Sequence, residues 1–171
     1  YQDAPYDTRT VSEPYRLDYI RGRGNSTWDA KKKPYKIKLK DSVDFYGMGA
    51  NKHWALIANY YDGTLIRNMF TYYLGEAMNM LYTPKLVPVD VVMNDVYLGS
   101  YYLSEVVRID ESRVNIKDLE EAPYEDKDIS GGYLLGMSPY GKEEGLKFVT
   151  TEKVPFVVES PEKVDDDDDE G

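Results

Sequence analysis

Residues 35–40 alternate without a break. Tyr35, Ile37 and Leu39 are apolar, and Lys36, Lys38 and Lys40 between them are charged. Successive side chains of a strand point to opposite faces, so this period of two predicts a half-buried strand. Its apolar side faces a core, and all three lysines share the other face. Pro34 can start such a strand but cannot donate a hydrogen bond from its interior. Just ahead lies Ile20-Arg21-Gly22-Arg23-Gly24-Asn25-Ser26-Thr27-Trp28, a glycine loop entered from a short strand over residues 15–20.

The loop and the lysine strand form a basic island. Residues 16–40 carry a net +7 in a chain whose total is −10, so the remainder holds −17, six of it in the run Asp165 to Glu170. An acidic background repels polyanions outside the island, which argues against nucleic-acid binding and favours a small phosphate-bearing ligand held locally. Gly22 and Gly24 have no Cβ, so their backbone N–H groups can approach an anion, with Arg21, Arg23, Ser26 and Thr27 alongside. Taken alone, the loop matches neither G-x-G-x-x-G nor the Walker pattern, and a glycine turn with surface arginines is the commoner explanation. The lysines have a plain role too, since charge on an exposed strand discourages edge-to-edge pairing. Asn25-Ser26-Thr27 also fits a glycosylation sequon, a triplet frequent by chance.

Further along, residues 41–52 read as a loop broken by Gly47 and Gly49, and residues 53–60 are apolar and ambiguous between strand and helix. The clearest helix follows, with Leu65, Ile66, Met69, Phe70, Tyr73, Leu74, Ala77, Met78 and Leu81 at three-and-four spacing. Asp62 or Thr64 can cap it, Arg67, Asn68, Thr71 and Glu76 line its polar face, and Pro84 ends it. Glu76 belongs to that polar stripe more readily than to an ion pair with a strand lysine. Val87, Val89, Val91 and Met93 then alternate, Asn94-Asp95 tolerates positive φ, and residues 96–107 run back: a hairpin with a two-residue turn. Gly99 within the return strand predicts a bulge or a close backbone approach. Residues 108–121 read as a turn with short helical pieces and Asp110 as a cap. Strands are expected at 133–135, 147–151 and 154–158. Residues 1–15 form an extended lead-in, 16–160 one domain, and 161–171 an acidic tail or linker.

Composition closes several routes. There is no cysteine, which removes disulfides, thiolate catalysis and Cys-ligated metals, and His53 is the single histidine, so any Ser-His-Asp arrangement would need it. Beside Trp54, His53 reads as a packed or surface residue rather than a base. No apolar window is long enough for a membrane span. The chain opens at Tyr1 rather than Met, which reads as a processed or excised piece. The acidic run reads as a solvated tail, because chelation of Ca²⁺ needs a folded loop.

Several segments together resemble the CotH kinase family, named after spore-coat protein H: RGRGNSTW, KKPYKIKL, HWALIANYYDGTLIRN, VVMNDVYLGSYYLSEVV, RVNI and SGGYLL, in the family's order over residues 20–135. The resemblance implies an atypical secreted protein kinase that binds ATP and Mg between two lobes, with an extracellular or cell-surface location, a nucleotide and a protein substrate as partners, and a C-terminal lobe elsewhere in the parent chain. The fold it implies here is α+β, an antiparallel β-sheet with one principal helix, like a kinase small lobe. Carried over residue by residue, Arg21, Arg23, Gly24, Asn25, Ser26 and Thr27 would meet the phosphates. Lys36 or Lys38 would be the strand lysine that neutralises phosphate charge, and Glu105 with residues 106–108 would lie near the adenine.

Two departures limit that expectation. The family follows SGGYLL with acids, whereas Gly136, Met137 and Ser138 stand here. The metal-holding and hydroxyl-positioning aspartates belong to segments after the matched region, so no catalytic or metal residue is expected in this chain, and the fragment alone is expected to be inactive. The other expectation is a non-catalytic module that presents tyrosines to a polysaccharide or a surface protein. The chain has seventeen tyrosines, although Tyr73, Tyr102 and Tyr133 fall in apolar segments and read as core.

Overall fold

The computed structural model describes residues 14–120, 130–137 and 146–161. The lead-in up to residue 13, Ser138 and the acidic run lie outside these residues. The backbone divides into two compact units, Tyr1–Val106 and Val107–Gly171.

The first unit is a five-stranded antiparallel sheet. Strands β1 (Leu17–Gly22), β2 (Tyr35–Val43), β3 (Asn51–Ile57), β4 (Leu86–Met93) and β5 (Val96–Glu105) pair in the order β1-β2-β3-β5-β4, with helix α1 (Arg67–Ala77) between β3 and β4. The alternation at 35–40 is realised. Leu39 is buried in a core with Trp54, Leu56, Tyr101 and Leu103, and Tyr35 and Ile37 pack against that core. Trp54 is wholly inaccessible. Its indole Nε1 donates to the Asn51 carbonyl at 2.9 Å, and the Phe45 ring meets it edge-on at 5.0 Å. Lys36 and Lys38 register opposite Arg21 and Tyr19 of β1, which puts the cations on the other face.

The ambiguous segment 53–60 resolves into β3 and a turn, and the expected loop at 41–52 shrinks because β2 and β3 extend into it. The hairpin forms as expected. Asn94 (φ +51°) and Asp95 (φ +64°) supply two left-handed turn residues, and the ladder slips between Val91 and Val92 opposite Gly99 (φ +93°), which is the bulge.

The helix is shorter than its apolar repeat. Leu65 (φ +60°) is left-handed ahead of it, and Asn79 (φ +52°) stops it well before Pro84. The Met80 N–H bonds to the Gly75 carbonyl at 3.0 Å and the Asn79 N–H to Glu76 at 2.9 Å, which is a Schellman ending. Its apolar positions Met69, Phe70, Tyr73 and Leu74 are exposed rather than packed. One tether to the sheet is the Tyr102 hydroxyl, which donates to the Leu65 carbonyl. Of the three tyrosines expected in cores, Tyr102 is buried, while Tyr73 and Tyr133 are exposed.

The second unit holds a small antiparallel sheet, β6 (Leu134–Met137), β7 (Lys147–Val149) and β8 (Pro155–Ser160), in the order β6-β8-β7. Its start corrects the expectation of short helical pieces: residues 107–120 form turns. Asp110 closes one by accepting the Ser112 N–H at 2.9 Å and the Ser112 hydroxyl at 2.8 Å, so its side chain competes with the backbone bonds a helix would need. Gly136 lies against Glu159; a Cβ there would sit 2.7 Å from the carboxylate. Among the described residues the architecture is mainly antiparallel β with a single α-helix, within the α+β class.

Candidate functional site

The glycine loop is shaped by its own packing. Trp28 closes a short 3-10 turn (Ser26–Trp28) and lies on Gly22, where a Cβ would come within 2.5 Å of the ring. Gly24 has φ +84°, and a Cβ there would sit 1.9 Å from the Thr27 hydroxyl oxygen. Both glycines are thus needed to seat Trp28 and Thr27. Lys33 also holds the ring, with its ammonium 5.1 Å from the indole centre and bonded to the Trp28 carbonyl. The Arg23 N–H ties the loop back to the Pro34 carbonyl at 3.2 Å.

This loop forms one wall of a cleft of about 260 Å³, and the opposite wall is the β3-to-α1 connection. Arg23 and Thr27 enter from the loop, Lys32 from the segment before β2, and Asn59, Tyr60, Tyr61, Asp62, Arg67 and Asn68 from across. Asn59 is left-handed (φ +51°), and its side chain accepts a 2.8 Å bond from the Asn68 amide. Tyr60 and Tyr61 stand edge to face at 5.1 Å and are exposed.

Asp62 organises the far wall. It is buried, and its carboxylate accepts the Thr64 hydroxyl at 2.5 Å, the Thr64 N–H at 3.0 Å and the Arg67 N–H at 2.9 Å. It therefore satisfies an otherwise orphaned donor at the start of α1, as a cap does. The Thr64 hydroxyl bond, aided by the two N–H groups and the Arg67 charge, holds the Asp62 carboxyl below the usual carboxylate range despite its burial. The Arg67 Nε lies 3.6 Å from the same carboxylate, while most of the Arg67 side chain is exposed.

Lys32 is the lysine of this cleft. Its ammonium donates to the Ser100 carbonyl on β5 and sits 4.4 Å from the centre of the Tyr101 ring, whose hydroxyl donates to the Lys33 carbonyl at 3.0 Å. Burial lowers its pKa, opposed in part by the charge of Asp90. Arg23, Lys32 and Arg67 thus line one cleft with a committed carboxylate and two exposed phenol rings. That arrangement suits a small polyanion carrying a flat ring.

The other sequence candidates fall elsewhere. Arg21, Gly24, Asn25 and Ser26 are exposed in or beside the loop but do not line the cleft. Neither Lys36 nor Lys38 lines it; Lys38 pairs with Asp18 at 2.9 Å. Glu105 is buried at the end of β5, where it accepts the Tyr82 hydroxyl at 3.0 Å and the Lys85 N–H at 2.8 Å. Sequence reasoning passed over Lys32, Asp62 and Arg67 as site residues because each had an ordinary explanation, as one lysine of a run, a cap and a polar helix face. The signal was their position: Lys32 lies in KKPYKIKL, and Asp62 and Arg67 lie in HWALIANYYDGTLIRN, two of the segments that carry the family resemblance. Among the described residues no group of three or more carboxylates or histidines comes together to hold a metal ion.

A protein-family description, CotH kinase protein, matches residues 20–168. No curated protein and no solved structure matches the chain. No described helix is long and apolar enough to cross a membrane.

Proposed function

The chain belongs to the CotH kinase protein family, and from that membership we propose that it is the nucleotide-binding part of an atypical protein kinase that moves a phosphoryl group from ATP to a protein hydroxyl. The observation that carries the reading is the cleft, where Arg23, Lys32 and Arg67 converge beside Tyr60 and Tyr61. ATP, when bound, supplies the transferable phosphoryl group. The three cations neutralise phosphate charge, the Thr27 hydroxyl offers a further donor, and the exposed phenol rings offer flat surfaces to a base. Asp62 acts indirectly: by fixing the start of α1 it fixes Arg67.

Phosphoryl transfer rests on positioning and on charge neutralisation that the cations supply only in part. In this reading the 171-residue chain binds nucleotide and does not turn it over unaided. The protein works outside the cell or at its surface, with a protein substrate and the rest of the kinase as partners. Calorimetric titration of Mg·ATP into the chain tests the reading. Saturable one-to-one binding is expected, and the absence of any heat attributable to binding overturns it.

One observation favours a second reading, a non-catalytic surface-binding module. Tyr60, Tyr61, Tyr73 and Tyr97 are all well exposed, which suits contact with a polysaccharide or another protein. Such a module would ignore Mg·ATP, so the same titration separates the two.

A further inference from the structure

The family match and the alternating strand leave open which cation meets the phosphates. We infer that Lys32, together with Arg23 and Arg67, holds the polyphosphate moiety of the ligand, and that the strand lysines Lys36 and Lys38 do not; this rests on the nucleotide reading of the same cleft.

The geometry separates the lysines. An ammonium carries three donors, and the Ser100 carbonyl takes one of those on Lys32, leaving two for a ligand. The Tyr101 ring against the ammonium and the Ser100 bond together hold a side chain that is otherwise long and mobile, so less freedom is lost when an anion arrives. Lys32 is also partly withdrawn from water, where a charge-assisted bond to phosphate is stronger than at an open surface. Lys36 and Lys38 are not among the residues that line the cleft, and Lys38 already has a carboxylate at 2.9 Å.

The remaining cleft residues agree. Arg23 extends from the loop and Arg67 from the first turn of α1, so the three positive charges come from three different segments facing one space. The carboxylate that lines the cleft, Asp62, is engaged by Thr64 and by the Arg67 N–H, and Asp90, whose charge acts on Lys32, accepts the Ser100 hydroxyl at 2.8 Å and the Tyr97 hydroxyl at 3.0 Å. The cleft therefore carries an excess of positive charge inside an acidic protein, which is a requirement of polyphosphate rather than of base recognition.

The test is calorimetry on the full 171-residue chain with two probes, Mg·ATP and inorganic tripolyphosphate. Lys32→Gln is expected to weaken both by about tenfold or more, as loss of a charged hydrogen-bond donor does, while Lys36→Gln and Lys38→Gln stay within about twofold of the parent. Because Lys32 also ties its segment to β5, a second measurement uses the unaltered chain. Lysine acetylation read by mass spectrometry should show tripolyphosphate protecting Lys32 but not Lys36 or Lys38. Failure to bind tripolyphosphate, unchanged affinity in Lys32→Gln, or protection at Lys36 or Lys38 instead overturns the assignment, and the nucleotide reading survives if Mg·ATP still binds. If neither probe binds the unaltered chain, both fall together.

Discussion

Trp54 and Asp62 show how much a single side chain decides. Trp54 fills the centre of the first unit with no exposed surface, so Trp54→Ala removes a large apolar volume that neighbours cannot fully close over. Chemical denaturation should show a loss of about 3–5 kcal/mol. Asp62 is stabilising in its charged form, since its carboxyl is held below the ordinary value of 3.8 in the folded state. That contribution is present above the unfolded value and is lost as pH falls through the lower folded one. The melting temperature should therefore fall as the solution is acidified below about pH 4. Asp62→Asn should melt lower near neutrality and lose less on acidification; parallel curves for the two proteins would contradict the account. Glu105 was read from sequence as a neighbour of the adenine, but its visible bonds go to Tyr82 and to the Lys85 backbone. Glu105→Ala removes the acceptor of the partly buried Lys85 N–H and Tyr82 hydroxyl bonds and should cost about 1 kcal/mol in thermal or urea unfolding. A residue's type and spacing announce that it is charged; they do not say which buried donor will claim it.

At the scale of elements, strands and the hairpin were legible and the ends of the helix were not. The 35–40 alternation, the Asn94-Asp95 turn and the Gly99 bulge each follow from a local rule that tertiary packing had no reason to override. The apolar repeat from Leu65 to Leu81 shows which residues share a face, but not where the backbone turns left-handed, and Leu65 and Asn79 trimmed the helix at both ends. Periodicity is equally silent on what lies opposite that face, which is why Phe70 and Tyr73 are exposed where a core was expected. The glycine loop carries its own prediction. Gly24→Ala must place a Cβ on a left-handed residue against Thr27, so it should destabilise by about 1–2 kcal/mol and weaken Mg·ATP binding through Thr27 and Arg23. A variant that binds with parental affinity would show that loop shape is irrelevant to the site.

For the whole molecule, charge segregation told more than any motif. A basic segment of +7 within a chain of −10 pointed to local anion binding before any fold was considered, and the cleft draws two of its three cations, Arg23 and Lys32, from that segment. The third, Arg67, comes from the helix start and was invisible as a site residue, because sequence cannot show that the β3-to-α1 connection faces the glycine loop. Binding should accordingly weaken as salt rises, since part of the attraction is between partly exposed charges. The central claim is that nucleotide binds in this cleft. It is tested most directly by following backbone amide resonances of the isotopically labelled chain during titration with Mg·ATP. The account predicts shifts concentrated at residues 23–34 and 57–68. Shifts confined to the Lys36 and Lys38 face, or no shifts at saturating nucleotide, would contradict it.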